Sequence, residues 1–143
     1  MFIFEIFGTA LPQKHAIAKG RIYTPKAMKE YIEKIQWQIR PYAPVEPLKG
    51  PVQVDITCYF EVPKSVSSTR RKQMLNQVIH HTTYPDIDNC TYVIKNAMKK
   101  IVYEDDRQII DDNSHKRYGE IAKTVIKVIP IEEIAPTRGE ICG

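Results

Sequence analysis

The sequence predicts one small α/β (α+β) domain, a mixed β-sheet flanked by helices, and three observations carry that prediction. Short runs of apolar residues alternating with period two, most clearly over 52–60, read as strands. Two segments with apolar residues at helical spacing read as helices that each bury one face. The length, 143 residues, suffices for one hydrophobic core and is too short for two. The domain is expected over residues 1–131, with 132–143 a loosely ordered tail.

Taken in order, "FIFEIFG" is a first strand, rich in β-formers and ended by glycine. The basic stretch "TALPQKHAIAKGRIY" follows as a loop. "TPKAMKEYIEKIQWQIR" predicts a helix with Thr24 as N-cap and Pro25 at the first helical position, its apolar stripe formed by Met28, Tyr31, Ile32, Ile35 and Ile39. Trp37 lies off that stripe, a candidate for a subunit interface or for packing on a connector. After the proline-rich connector "PYAPVEPLKG", Val52, Val54, Ile56, Cys58 and Phe60 mark a half-buried strand. "SVSSTRRKQMLNQVI" predicts a short helix capped by Ser67 or Ser68. From Asn89, the residues Cys90, Val93, Ile94, Ala97, Met98 and Ile101 form the stripe of a third helix. "RQIIDDNSHKRYG" and "IAKTVIKVIPI" read as two closing strands around a Tyr-Gly-Glu turn.

Composition excludes several classes. Hydrophobic residues are 43% and charged residues 27%, ordinary for a globular protein, and no run approaches the roughly 20 apolar residues of a membrane span. The apolar N-terminus lacks a basic leader and is interrupted by Glu5, so a soluble, cytoplasmic protein with no membrane partner is expected. Cys58, Cys90 and Cys142 are odd in number and lack ligand spacing, which argues against a disulfide framework or a zinc site. The net charge of +4 is modest, but it is segregated. From Thr9 to Lys29, and from Val62 to Pro85, there are basic residues and no acids, whereas Glu104, Asp105, Asp106, Asp111 and Asp112 crowd into nine positions. Such segregation suits a protein that holds a polyanion on basic surfaces and concentrates negative charge at a few points for metal ions.

The acidic points are "YPDIDNC", residues 84–90, and "YEDDRQI", residues 103–109. Asp86 and Asp88 flank one residue in a segment that Pro85 holds extended, so their carboxylates are expected to point the same way and share one ion. A hard cation such as magnesium takes oxygen ligands and keeps water or substrate phosphate in its remaining positions. Such a site serves phosphodiester hydrolysis, and a nearby lysine assists as a fixed positive charge. One Asp-x-Asp is a weak signal by itself, since it also occurs in ordinary turns, and Asp88 would serve as a helix cap. An EF-hand is excluded because Cys90 and Thr91 fall where an oxygen ligand and a glycine are required. A sugar-nucleotide transferase would need a larger fold.

"YPDIDN", the helix after it, "VYEDDRQI", and "HKRYGE" before a last strand together resemble the RusA family of Holliday-junction resolvases. "GRIYTPKAMKEYI" is similar to that family's N-terminal basic loop and helix start, and "KSVSSTRRKQML" to its basic helix. The likeness spans roughly residues 5–130, and the order of the segments is more specific than any one of them. The resemblance implies a homodimeric endodeoxyribonuclease with a RusA-like fold, which binds four-way junctions and cuts opposed strands symmetrically in recombination and repair, with magnesium or, in its place, manganese. It assigns Asp86, Asp88 and Asp106 as the essential carboxylates, Asp105 as the paired neighbour in the metal set, and Asn89 and Gln108 as motif residues. Two departures stand out: Tyr84 replaces a basic residue, and Tyr92 replaces a lysine of catalytic importance. Lys95 shares a helical stripe with Asp88, Tyr92 and Lys99 and is the candidate to supply the missing charge. The alternatives are a junction-binding protein without cleavage, and a basic domain whose aspartates are turn acids.

Lys14, Lys19 and Arg21 in the basic loop, Arg70, Arg71 and Lys72 at the second helix, and Lys116 on the strand are the candidates for DNA contact. His15, His80 and His81 lack a partner at ligand spacing and are expected as surface loop residues.

Overall fold

The computed structural model describes residues 1–13, 16–18, 21–23 and 25–133. Among the described residues the strands and α-helices run in the order β1 (Phe2–Phe7), β2 (Ala16–Ala18), β3 (Arg21–Tyr23), α1 (Lys26–Ile39), β4 (Val52–Glu61), α2 (Ser68–Leu75), α3 (Ile87–Met98), β5 (Ile109–Gly119) and β6 (Lys123–Pro130). The expected mixed sheet with helices, an α+β arrangement, is what forms. Its strand order is β1-β6-β4-β5, and β2 and β3 make a separate two-stranded hairpin. That hairpin lies where the sequence implied a basic loop.

Alternation decides which face of the sheet is buried. Along β4, Val52, Val54, Ile56, Cys58 and Phe60 are buried, and each intervening residue is only partly covered. Phe4 and Ile6 of β1, with Ile126 and Val128 of β6, continue the same apolar face. The register explains the continuity, since Phe4 pairs with Ile126 and Ile126 with Ile56. Against this face pack Met28, Tyr31, Ile35 and Ile39 of α1, and Cys90, Val93, Ile94, Ala97 and Met98 of α3. Burying each Ile or Val contributes roughly 1.5–3 kcal/mol, so the stripe of α3 is held firmly and its polar face is presented in a fixed orientation.

The two closing strands differ from a simple hairpin. β4 lies between them, pairing antiparallel with β6 and parallel with β5. The short 120–122 connection therefore carries the chain across the end of β4. A hydrogen bond from Val62 N to Gly119 O (3.1 Å) fastens β5 at this crossing. This arrangement sends β5 beside α3, where its polar residues meet those of the helix.

Local boundaries follow from side-chain chemistry. Ser67 caps α2, its hydroxyl accepting from Arg70 N at 3.2 Å. Helix α1 begins at Lys26, so Pro25 precedes its first turn and the Pro25 carbonyl accepts from Met28 N and Lys29 N. Thr24, the expected cap, lies outside the described residues, as do Lys14, His15, Lys19, Cys142 and the tail from 134 onward. Arg21 is described as a backbone position of β3. Trp37 stands 77% exposed, away from the core stripe. Cys58 and Cys90 are free and buried. Among the described residues no helix is long and apolar enough to cross a membrane.

Candidate active site

The first acidic pair is set by the start of α3. The helix begins at Ile87, two residues before the expected Asn89, so the pair does not lie in one extended segment. Asp86 occupies the N-cap with extended backbone (φ −67°, ψ 141°), and Asp88 belongs to the first turn. Asp86 makes no side-chain capping bond, although its carbonyl accepts from Cys90 N at 3.2 Å. Among the described residues, Asp88 Oδ1 accepts only from the adjacent Asn89 N, at 3.0 Å. Both acids are exposed, at the end of a helix whose dipole favours negative charge. The cap position of Asp86 therefore leaves its oxygens available to an external cation.

The turn before the pair is fixed from β5. The peptide between Tyr84 and Pro85 is cis, and Lys116 Nζ donates to Thr83 O at 2.7 Å. Lys116, expected as a DNA contact, thus spends one hydrogen bond on holding this turn. It also shares surroundings with the acids. Burial pushes the Cys90 thiol up to about 12; Cys58 adds to the shift, Lys116 opposes it, and Asp86 and Asp88 add to it. The Cys90 thiol thus feels the charges of Lys116, Asp86 and Asp88 together.

The second acidic group is internally neutralised. Asp105 caps the 3₁₀ turn Asp106–Gln108: its Oδ1 accepts from Arg107 N (2.9 Å) and Arg107 Nε (3.1 Å). The Arg107 backbone N–H is the main reason its carboxyl is held below the usual carboxylate range. Gln108 completes a reciprocal capping box, accepting from Asp105 N and donating to Leu48 O and Gly50 O at 2.9 and 2.8 Å. The motif glutamine is therefore a clamp that ties the turn to the 48–50 connector. Asp106 pairs with Lys99 Nζ at 3.3 Å.

Lys95 does not reach back toward Asp88. Its ammonium forms an ion pair with Asp112 Oδ2, and its side chain is only 17% exposed. Tyr103, fully buried, donates from its hydroxyl to Lys95 O at 2.6 Å and so fixes the backbone of the last turn of α3. Burial, with Asp106, Asp112 and Asp105 nearby, raises the Tyr103 hydroxyl far above its ordinary pKa and keeps it a donor.

The structure thus splits the expected set. Asp86 and Asp88 stand together at one end of α3, while Asp105 and Asp106 lie beyond the other. Among the described residues no three His, Cys, Asp or Glu side chains gather to hold a metal ion. The donors at the helix start are hard oxygens, and magnesium commonly takes one or two carboxylates while keeping its waters and a substrate phosphate. The Asp86–Asp88 pair fits that pattern; Asp105, engaged by Arg107, fits it least.

The remaining candidates lie on and after α2. Arg70 and Lys72 are exposed on α2 and Arg71 is partly covered. His80 is exposed, but His81 is not a surface loop residue: its ring stacks on Phe60 (centroids 4.3 Å apart, 20° between planes) and tilts against Tyr118. Asp112 and Tyr103 were not among the sequence candidates. Their roles arise from β5 running parallel to β4 alongside α3, which no local pattern shows.

Residues 5–129 match the family described as "Endodeoxyribonuclease RusA". The chain is also similar to the "Uncharacterized protein YqaN" of Bacillus subtilis (strain 168), 28% identical over 135 residues, an alignment covering 87% of this chain and 93% of that protein.

Proposed function

Because the chain belongs to the endodeoxyribonuclease RusA family, we propose that it is a magnesium-dependent, structure-selective endodeoxyribonuclease that resolves four-way junctions by paired cuts. The observation that carries the proposal is the uncapped, exposed Asp86 beside Asp88 at the start of α3. These carboxylates would hold the ion, which supplies an activated water and stabilises charge on the phosphate. Lys116, tied to the turn before Asp86, supplies a fixed positive charge on the same corner and orients that turn. Lys99 holds Asp106, and Asp112 holds Lys95, so these side chains shape the opposite flank of the site. Basic α2 would receive backbone phosphates through Arg70, Arg71 and Lys72. A homodimer suits the substrate, because paired cuts in a near two-fold junction require paired sites.

One observation favours a second outcome within the same fold. Tyr92 stands 48% exposed, and Lys95, the candidate replacement charge, is already neutralised by Asp112. A protein that binds junctions without cutting them would follow if that charge is indispensable.

The deciding experiment compares cleavage of a synthetic mobile four-way junction and of linear duplex, with magnesium and with chelator. Symmetric cuts in the junction alone, and only with magnesium, are expected. Tight junction binding without product would favour the non-cutting form, and Tyr92→Lys would then restore cleavage. Equal treatment of junction and duplex would overturn both.

A further inference from the structure

An apolar cavity of about 380 Å³ opens directly beside the acidic pair. Its walls come from the chain after β1 (Thr9 to Pro12), the start of α1 (Pro25, Ala27, Met28), Phe60 at the end of β4, and Tyr84 and Pro85. Asp86 is the next residue in the chain. Gln13 N donates to Asn89 O at 3.1 Å, so the wall after β1 is fastened to the first turn of α3. Phe60, at the back, is braced by its stack on His81. Tyr84, at the rim, is 69% exposed.

We propose that this cavity receives an unstacked nucleobase of the DNA strand bound at Asp86 and Asp88, with Tyr84 as its stacking surface; the inference rests on the DNA-binding reading above. Every lining residue is uncharged, whereas the adjoining residues carry charge. A nucleotide has the same division, a neutral planar base beside an anionic phosphate. A phosphate has no cationic partner among the lining groups, while three proline rings, Phe60 and Tyr84 offer flat apolar surface to a base. The volume lies in the range of small-molecule sites, roughly 300–1,000 Å³. Bases at a branch point are the cheapest in a duplex to unstack, and aromatic side chains on DNA-binding proteins hold unstacked bases irrespective of sequence. Exposure of Tyr84 has no folding rationale among the described contacts; a stacking platform gives it one. The cavity would thereby fix the register of the strand, setting which phosphate meets the carboxylates.

The test is a coupling measurement, made with chelator so that no cutting intervenes. An abasic site is walked through the branch region of a four-way junction and, separately, along a single strand, and the Kd is measured for wild type, Tyr84→Ala, Tyr84→Phe and Ala27→Trp. Ala27 is exposed at the cavity mouth, so the tryptophan fills the space without disturbing the core. At one position, loss of the base should weaken wild type and Tyr84→Phe by roughly tenfold and leave Tyr84→Ala and Ala27→Trp unchanged. Identical abasic profiles for wild type and Ala27→Trp would overturn the base pocket while leaving junction binding intact. Dissociation of either variant into smaller species in sedimentation would also overturn it, showing that the cavity seats a second copy of the chain. Failure of the junction preference in wild type would count against the junction reading alone, since the single-strand profile still decides the cavity. No binding to any DNA would overturn both.

Discussion

The two acidic groups of this chain look alike in sequence and differ in what the fold does with them. Asp86 and Asp88 sit at a helix start with little competition for their oxygens. Asp105, Asp106 and Asp112 each have a cationic partner, Arg107, Lys99 and Lys95 respectively. Two carboxylates without a cationic partner among the described residues invite an external ion, whereas paired carboxylates fix the geometry of the chain around them. The contrast separates chemistry from scaffolding within one acidic surface.

Breaking the first group should have the largest effect. Asp86→Asn is expected to lower junction cleavage by roughly 10²-fold or more while binding in chelator is kept or strengthened, because repulsion against phosphate is relieved. Single-turnover cleavage and a gel-shift titration on the same preparation check it. Loss of binding together with cleavage would instead make Asp86 structural.

Lys95→Ala sharpens the comparison from the other side. If Lys95 supplies the charge that Tyr92 cannot, turnover falls between about tenfold and a hundredfold, although the thermal midpoint barely moves. If turnover survives while Asp88→Asn abolishes it, Lys95 belongs wholly to the scaffold with Asp112. Gln108→Ala should do the reverse. It strands Gly50 O and Asp105 N, leaves Leu48 O with Glu104 N alone, and is expected to cost about 1–3 kcal/mol of stability, read by denaturant midpoint, with folded protein still cutting.

The contrast was only half legible in the sequence. The helical stripes at Met28 to Ile39 and Cys90 to Met98, the strand at 52–60, and the acidic pair at a helix start follow from periodicity and capping chemistry, because such signals are local. The pairing of Lys95 with Asp112 was not legible. It depends on β5 running parallel beside β4, with the 120–122 connection crossing the end of β4 to reach β6, and that three-residue connection gives no sign of the route. Asp105 entered the metal set as the paired neighbour that the family resemblance implies; its engagement by Arg107 and the Gln108 clamp shows only in the folded chain. His81 shows the same limitation, since its stack on Phe60 joins positions 21 residues apart.

That stack gives the smallest expected effect and a sign that can be checked. His81 titrates below its ordinary value because burial, and then the charge of Lys116, disfavour the imidazolium. An unfolded histidine takes up its proton near pH 6.5, so below that pH the unfolded chain binds a proton that the folded chain resists. Stability is therefore fully present above about pH 6.5 and declines as the pH falls from there toward the lowered folded value. Replacing the ring by one that stacks but cannot titrate, His81→Phe, should keep the contact with Phe60 and Tyr118 and flatten the thermal midpoint between pH 7 and 5. Were the slope unchanged in the variant, other groups would carry the acid sensitivity, and the wall behind the cavity would be held by shape alone.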